Sequence, residues 1–365
     1  MEKSNPFDIC FTVMKIRYAD YDRTITAENF VQENDRVNVF INLESVLKNL
    51  SMIQDLEKKL VLERNFEVIL TSNIINLAAH YKRFFMNNRM DTRVYLYHTD
   101  YQSNTFHQSN YNENYRSYYN CKYTQNPKFT YLTDALNEHI LPMVRTCCEF
   151  IPRVYYLCAK NIEGSVIPYL ISEDDKARKD NRKNFIISSD IYDTQYKFLP
   201  GFLSHYLKRG WGNSVMTCRT DDLLPLLANK PVSECNDILN LYKTHSYYTT
   251  MLASLGNRER SIDKLDGVGF ATVTNSLLDA LATNRIDRST SSPSILSEIY
   301  PEEKREQFVN NYYCTSIPLI YEELTSAERL SITSQRSDRF DNQGLLDLNK
   351  TLFYDHPLIL ETLCM

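Results

Sequence analysis

The sequence has little glycine or proline: 8 and 12 residues in 365, together roughly half the usual share. That excludes collagen-like repeats and long Gly/Pro linkers, and it points to long elements joined by polar loops. No CxxC pair occurs. The nine cysteines are odd in number and scattered, which excludes a disulfide scaffold and a paired-cysteine zinc site and reads as reduced, core-filling thiols. No apolar run reaches the roughly 18 residues needed to span a bilayer, and no N-terminal stretch reads as a leader. The expectation is a cytoplasmic chain with no membrane partner. Phosphate-cradling and dinucleotide glycine loops are absent, as are Ser-His-Asp and Cys-His arrangements, so NTP hydrolysis and redox chemistry drop out. There is no excess of basic residues either: 41 Lys and Arg stand against 46 Asp and Glu, a net charge of −5. Histone-like binding is excluded, and tight sequence-independent binding to phosphates is disfavoured.

What is present is a repeating pattern. Val37 to Ile41 reads as a buried strand, followed by apolar residues at helical spacing from Leu43 to Leu60. A second helical stretch, Val68 to Phe85, leads to a strand at Arg93 to Tyr97. A polar, Tyr-rich tract over about 98–127 is too long for a tight connection and reads as a functional loop or arch. Thr133 is a candidate cap for a helix through Val144, Val154 to Cys158 is a third strand, 161–172 a helix and Asn184 to Ile187 a fourth strand. Alternating strands and helices predict an α/β fold with a mainly parallel sheet covered by helices. Beyond about 220 only helices and loops are expected.

Ligands of such sheets bind at the carboxyl ends of the strands. There the sequence offers Asn42, Asp100, Glu163 and the stretch Ser188 to Gln195 with Asp190 and Asp193. Carboxylates at that edge can hold Mg²⁺ or Mn²⁺ for phosphodiester hydrolysis, and an Asp after a strand equally serves as a helix cap. Further on, Gly267-Val268-Gly269 opens a helix, as in a helix-hairpin-helix or in an ordinary glycine turn. Glycines at such a turn let a phosphate approach backbone N–H groups at the positive end of the helix.

In this order the pieces resemble the 5′-3′ exonuclease and flap-endonuclease family, with its PIN-like domain, over about residues 37–282. Val39 to Asn42 resembles the strand ending in the family's first metal aspartate, and Tyr97 to Asp100 the strand ending in the second. Tyr111 to Arg116 resembles the basic and aromatic arch segment, and Ile162 to Ile167 occupies the place of the acidic helix start. Ile186 to Asp190 with Gln195 resembles the Ser-x-Asp-x-Asp-x-x-Gln motif. Leu255 to Asn257 and the Gly267 to Gly269 turn resemble the Gly-Asp turn and the helix-hairpin-helix. The resemblance implies an N-terminal extension (1–36), a PIN-like α/β domain (37–215), a helical region with a helix-hairpin-helix (216–285) and a C-terminal helical extension (286–365). It implies residual catalytic residues Asp100 and Asp190, metal ligands Asp100, Glu163, Asp190 and Asp193, and nucleic-acid contacts at Tyr111, Tyr115, Arg116, Lys122, Gly267 and Gly269.

The departures are as specific as the matches. Asn42 replaces the first aspartate, Gly164 and Ser165 stand beside Glu163 in the acidic cluster, and Tyr192 replaces the second aspartate of the Ser-x-Asp motif. Asn257 and Arg260 replace acids of the Gly-Asp turn. Two divalent ions about 4 Å apart repel by roughly 17 kcal/mol at an effective dielectric of about 20. Two or three carboxylates suit one Mg²⁺ or Mn²⁺ ion, or none, and not a pair. The reading is a nucleic-acid-binding protein of this fold with impaired or lost nuclease activity, its partner DNA or RNA that is branched or single-stranded. Two rivals stay open. One is an active 5′ nuclease drawing on Glu44, Asp193 or Glu259. The other is a structural or assembly protein, viral in its Asn/Tyr/Ile-rich vocabulary, that binds protein through the Tyr-rich tract.

Overall fold

A computed structural model of the chain describes residues 32, 34–43, 45–46, 66–87, 89–100, 139–160, 163–188, 190–209, 215–219, 223–257, 262–336, 341–351 and 353. The chain divides into two compact units, one of residues 1–100, 131–218 and 325–365 and one of 101–130 and 219–324.

The first unit is an α/β sheet with helices, as the alternating pattern predicts. Its strands are β1 (Arg36–Asn42), β2 (Asp91–Asp100), β3 (Val154–Lys160), β4 (Lys183–Ser188), β5 (Phe202–Arg209) and β6 (Val215–Arg219), in the order β3-β2-β1-β4-β5-β6. β1 lies between β2 and β4, and all the pairs from β3 to β5 are parallel. The helices between strands are α1 (Phe66–Asn87), α2 (Leu141–Phe150) and α3 (Ile167–Ala177). β5 and β6 are strands that the sequence pattern did not reveal. His205, Lys208 and Arg209 interrupt the apolar run by which the inner strands are recognised.

The period-two alternation of β1 separates two chemically different faces. Val37, Val39 and Ile41 join Val94, Leu96, Phe185 and Ile187 in an apolar core against Ile74, Ile75, Ala78 and Phe85 of α1 and Val144 of α2. The opposite face is aromatic and polar. Phe40, Tyr95 and Tyr155 form an offset stack across β1, β2 and β3, with centroids 4.9 and 5.0 Å apart. Such a stack adds roughly 0.5–1.5 kcal/mol per pair beyond its buried area. Below it, the Asn38 side-chain amide donates to Asp175 Oδ2 of α3 at 2.8 Å and to Asn184 Oδ1 of β4 at 3.0 Å. Burial pushes the Tyr95 hydroxyl up to about 12, with Arg336 opposing the shift.

Near the amino ends of the strands, the basic run over 176–183 is matched by acids. Lys176 pairs with Glu173, Arg178 with Asp174, and Lys183 with Asp35 at 2.7 Å. Arg182 is buried and bridges Asp180 at 2.9 Å and Asp91. Within this stretch Arg182 is the buried cation that holds the fold, while Lys176 and Arg178 pair at the surface.

The chain returns to this unit through α11 (Ser326–Thr333) and α12 (Asn342–Thr351). Thr325 and Glu328 start α11 with a reciprocal capping box, which satisfies two of its free N–H groups.

The second unit is helical: α4 (Leu223–Ala228), α5 (Asn236–Leu241), α6 (His245–Leu255), α7 (Phe270–Ala282), α8 (Pro293–Ser297), α9 (Glu302–Thr315) and α10 (Ile317–Glu322). α6 is buried along nearly its whole length, including Ser246, Thr250 and Ser254. Their hydroxyls are tolerated there because Thr250 donates to Ser246 O and Ser254 to Thr250 O, the i−4 carbonyls. Asn311 of α9 ties α6 to the following loop, donating to Ala253 O at 2.9 Å and Asp263 O at 2.8 Å.

Candidate functional site

The carboxyl edge of the sheet gathers the ends of β1, β2 and β4 and the turns after β3 and β4. Asn42, the last residue of β1, is buried, and its Oδ1 accepts from the Ser45 backbone N–H at 3.1 Å. That contact fixes the amide's orientation, because only the oxygen can accept. The NH₂ group consequently faces Asp193, donating to Oδ2 at 3.2 Å, with Ser188 Oγ at 3.4 Å. Tyr97, opposite Asn42 in the β1–β2 register, donates its hydroxyl to the same Asp193 oxygen at 3.4 Å. Ser45 Oγ and Ser188 Oγ are 3.0 Å apart. Asp193 is fully buried, and two donors on Oδ2 are what keep a carboxylate tolerable there.

Asp190 and Asp193 come together on one short 3₁₀ helix, Ile191–Phe198. Asp190 is its N-cap and accepts from Tyr192 N at 2.9 Å, while its own N–H donates to Ser188 Oγ at 3.0 Å. Three residues make one turn of a 3₁₀ helix, so Asp193 stands one turn above the cap and reaches the sheet edge. Gln195 lies in the same turn and donates to Tyr192 O at 2.9 Å, a contact within its own helix.

After β3, Glu163 is buried and caps a second 3₁₀ turn, Gly164–Val166, accepting from Ser165 N at 3.3 Å. Gly164 N donates to Thr99 Oγ1 at 2.7 Å. A Cβ on Gly164 would lie 2.5 Å from that oxygen and 3.0 Å from Thr99 N, so this backbone leaves no room for an acid at position 164. Tyr196 closes the turn from the other side, donating to Ser165 O and accepting from Tyr169 N at 3.1 Å. His98, between Tyr97 and Asp100, is engaged by Thr99 O and the Tyr156 hydroxyl. Asp100 ends β2 opposite Lys160.

The described side chains fit a divalent pair poorly. An amide NH₂ and a phenol O–H both donate to Asp193 Oδ2, and the carboxylates of Asp190 and Glu163 are engaged with backbone N–H groups. Among the described residues, no three His, Cys, Asp or Glu side chains converge as a metal site would require.

The glycine turn is in the helical unit. Gly267 has φ +68°, in the left-handed region, and Gly269 is the N-cap of α7, with no side-chain cap and open space where a Cβ would be. Lys304 donates to Asp266 O at 2.8 Å beside the turn. Gly256, in the earlier Leu255 to Asn257 turn, has φ +65°, and a Cβ there would be 2.5 Å from Lys264 N. Tyr111, Tyr115, Arg116 and Lys122 lie outside the described residues, as do Glu44, Glu259 and Arg260.

No known protein family and no curated protein matches the chain. Solved structures do. A pseudo-enzyme–product complex of the bacteriophage T5 flap endonuclease with DNA and metal ions is 11% identical, with a TM-score of 0.46, covering 87% of this chain and all of its own. The same phage protein co-crystallized with metal ions is also 11% identical, with a TM-score of 0.44, over 87% of this chain and 99% of its own.

Proposed function

We propose that the chain is a nucleic-acid-binding protein on the sheet scaffold of the 5′-3′ exonucleases and flap endonucleases, in which metal-dependent cleavage is lost or strongly reduced. The observation that carries this reading is the contact of the Asn42 amide with Asp193. Where a cleaving site needs bare carboxylate oxygens facing each other across an ion, this edge has a neutral donor satisfying one buried carboxylate. A divalent ion, when bound to such an edge, would supply an activated water and a counter-charge for the leaving oxygen. Asp190 and Asp193, with Asp100 at the end of β2, are the acids left to hold one. Asn42 and Tyr97 neutralise Asp193 with hydrogen bonds instead.

Binding rests on other parts of the chain. The open Gly267 to Gly269 turn leads into α7, whose first N–H groups have no side-chain cap, with Lys264 and Lys304 near the turn. Tyr111, Tyr115, Arg116 and Lys122 add the residue types that stack on unpaired bases and hold phosphates. With a net charge of −5, affinity should be modest and fall steeply with salt.

The test is a labelled 5′-flap DNA incubated with Mn²⁺ and run beside Asp190→Ala. The expected result is no cleavage by either protein, with a gel shift at low salt that disappears as salt rises. Cleavage by the wild type that Asp190→Ala abolishes would refute the inactive reading. Absence of any shift at low salt, on flap, single-stranded or RNA probes, would refute binding and favour an assembly role.

A further inference from the structure

Among the described residues β3 is the outermost strand on its side of the sheet, and an outer strand presents unpaired N–H and C=O groups to any chain that can add to it. Its sequence, VYYLCAK, has no proline and no acid and is rich in residues that favour pairing. The chain's own C-terminal part covers this edge. Gln335 Oε1 accepts from Cys158 N–H at 2.8 Å, and Gln335 Nε2 donates to Cys158 C=O at 2.9 Å. One side-chain amide thus satisfies both backbone groups of a residue, as a neighbouring strand would. Nε2 also donates to Ser331 O at 3.2 Å, tying the amide to α11. Arg336 anchors the next position, bonding Asp175 Oδ1 at 2.8 Å and Asp174, with its guanidinium 5.9 Å from the centre of the Tyr95 ring. Farther on, Leu345 and Phe353 belong to the apolar core on the other face.

We propose that α11 with Gln335 and Arg336 guards the edge of β3, and that with Gln335 and Arg336 withdrawn this edge pairs with β3 of a second copy of the chain. The edge is self-complementary. Cys158 exposes both backbone groups outward, so antiparallel pairing centred on it places residue 158 opposite its twin and Tyr156 of each copy opposite Lys160 of the other. No like charges meet, and a two-fold axis closes the pair. The two Cys158 Cα atoms would be about 5.5 Å apart, within disulfide range.

The experiment compares the full-length wild type with Gln335→Ala/Arg336→Ala by sedimentation, before and after treatment with the diazene oxidant diamide. Diamide takes two electrons and two protons from a thiol pair to leave one disulfide and a hydrazine. The wild type should sediment as one chain and resist cross-linking. The double variant should double in mass and give a covalent dimer that vanishes when Cys158→Ser is added. A double variant with wild-type circular dichroism and the mass of one chain overturns the proposal. So does a cross-link that survives Cys158→Ser, or a wild type already linked through Cys158. If the double variant does not fold, Gln335→Glu takes its place, since it keeps the side chain's size and turns an acceptor toward the Cys158 carbonyl at neutral pH. A single-chain mass for that variant overturns the proposal equally.

Discussion

Replacing Asn42 with aspartate changes only an NH₂ group into an oxygen, yet it sets two carboxylates where a donor and an acceptor now stand 3.2 Å apart. At an effective dielectric of about 20, two unit charges at that distance repel by about 5 kcal/mol, equivalent to roughly 4 pH units. The pair's second ionisation is therefore raised far above the ordinary carboxylate value. Below about pH 4 the added acid is protonated in both the folded and unfolded chains, and its O–H replaces the lost amide donor. From about pH 4, where the unfolded chain releases its proton, up to the raised folded value, where the folded chain follows, stability falls as pH rises. Near pH 7 the loss should be about 4 kcal/mol, a drop in melting temperature on the order of 10 °C for a unit of this size. Mn²⁺ between the two carboxylates would offset the repulsion, so the variant, unlike the wild type, should regain several degrees on addition of the ion. Thermal melts of Asn42→Asp and wild type, from pH 4 to 8 in EDTA and in Mn²⁺, measure all of this. Equal melting of the two proteins at pH 7 in EDTA would refute the reasoning, because the amide would then not be what neutralises Asp193.

Gly164→Ala should cost roughly 1–3 kcal/mol in urea unfolding, because its Cβ meets Thr99 Oγ1 and Thr99 N in a packed turn; an unchanged midpoint would mean the turn yields freely. Gly256→Ala and Gly267→Ala both force a side chain into the left-handed region. Only the first also drives a Cβ to 2.5 Å from backbone, so Gly267→Ala should cost about 1 kcal/mol and Gly256→Ala clearly more. Equal losses in chemical denaturation would contradict that order. Burial pushes His245 down to about 4 from an ordinary 6.5. Stability from this group is complete above pH 6.5 and lost as pH falls toward 4, by up to about 3 kcal/mol. His245→Gln should flatten that part of the stability profile, and a profile as steep as the wild type's would assign the loss to another group.

The inner strands were legible because they are buried on both faces, so Val37 to Ile41 and Asn184 to Ile187 read as nearly continuous apolar runs. β5 and β6 were not, since Phe202 to Arg209 mixes aromatic with basic residues and mimics a loop. Position decided the candidate site. Asn42 ends β1, and Glu163, Asp190 and Asp193 follow β3 and β4, but which atom each side chain contacts follows from turn geometry. That Asp193 faces Asn42 depends on a 3₁₀ turn, and a one-residue displacement in sequence gives no hint of it. The C-terminal return was invisible for a different reason. Gln335 meets Cys158 across 177 positions, and no local periodicity encodes a contact of that span.

The Asn38, Asn184 and Asp175 trio makes strand alignment a matter of chemistry as well as shape. Sliding β1 by a single residue would thrust an amide among apolar side chains and take the Asn38 donor away from Asp175 Oδ2, so the wrong alignment loses hydrogen bonds and core packing together. A few polar atoms beneath the aromatic stack thereby act as a pin, allowing a sheet this rich in interchangeable apolar residues to settle in one alignment only.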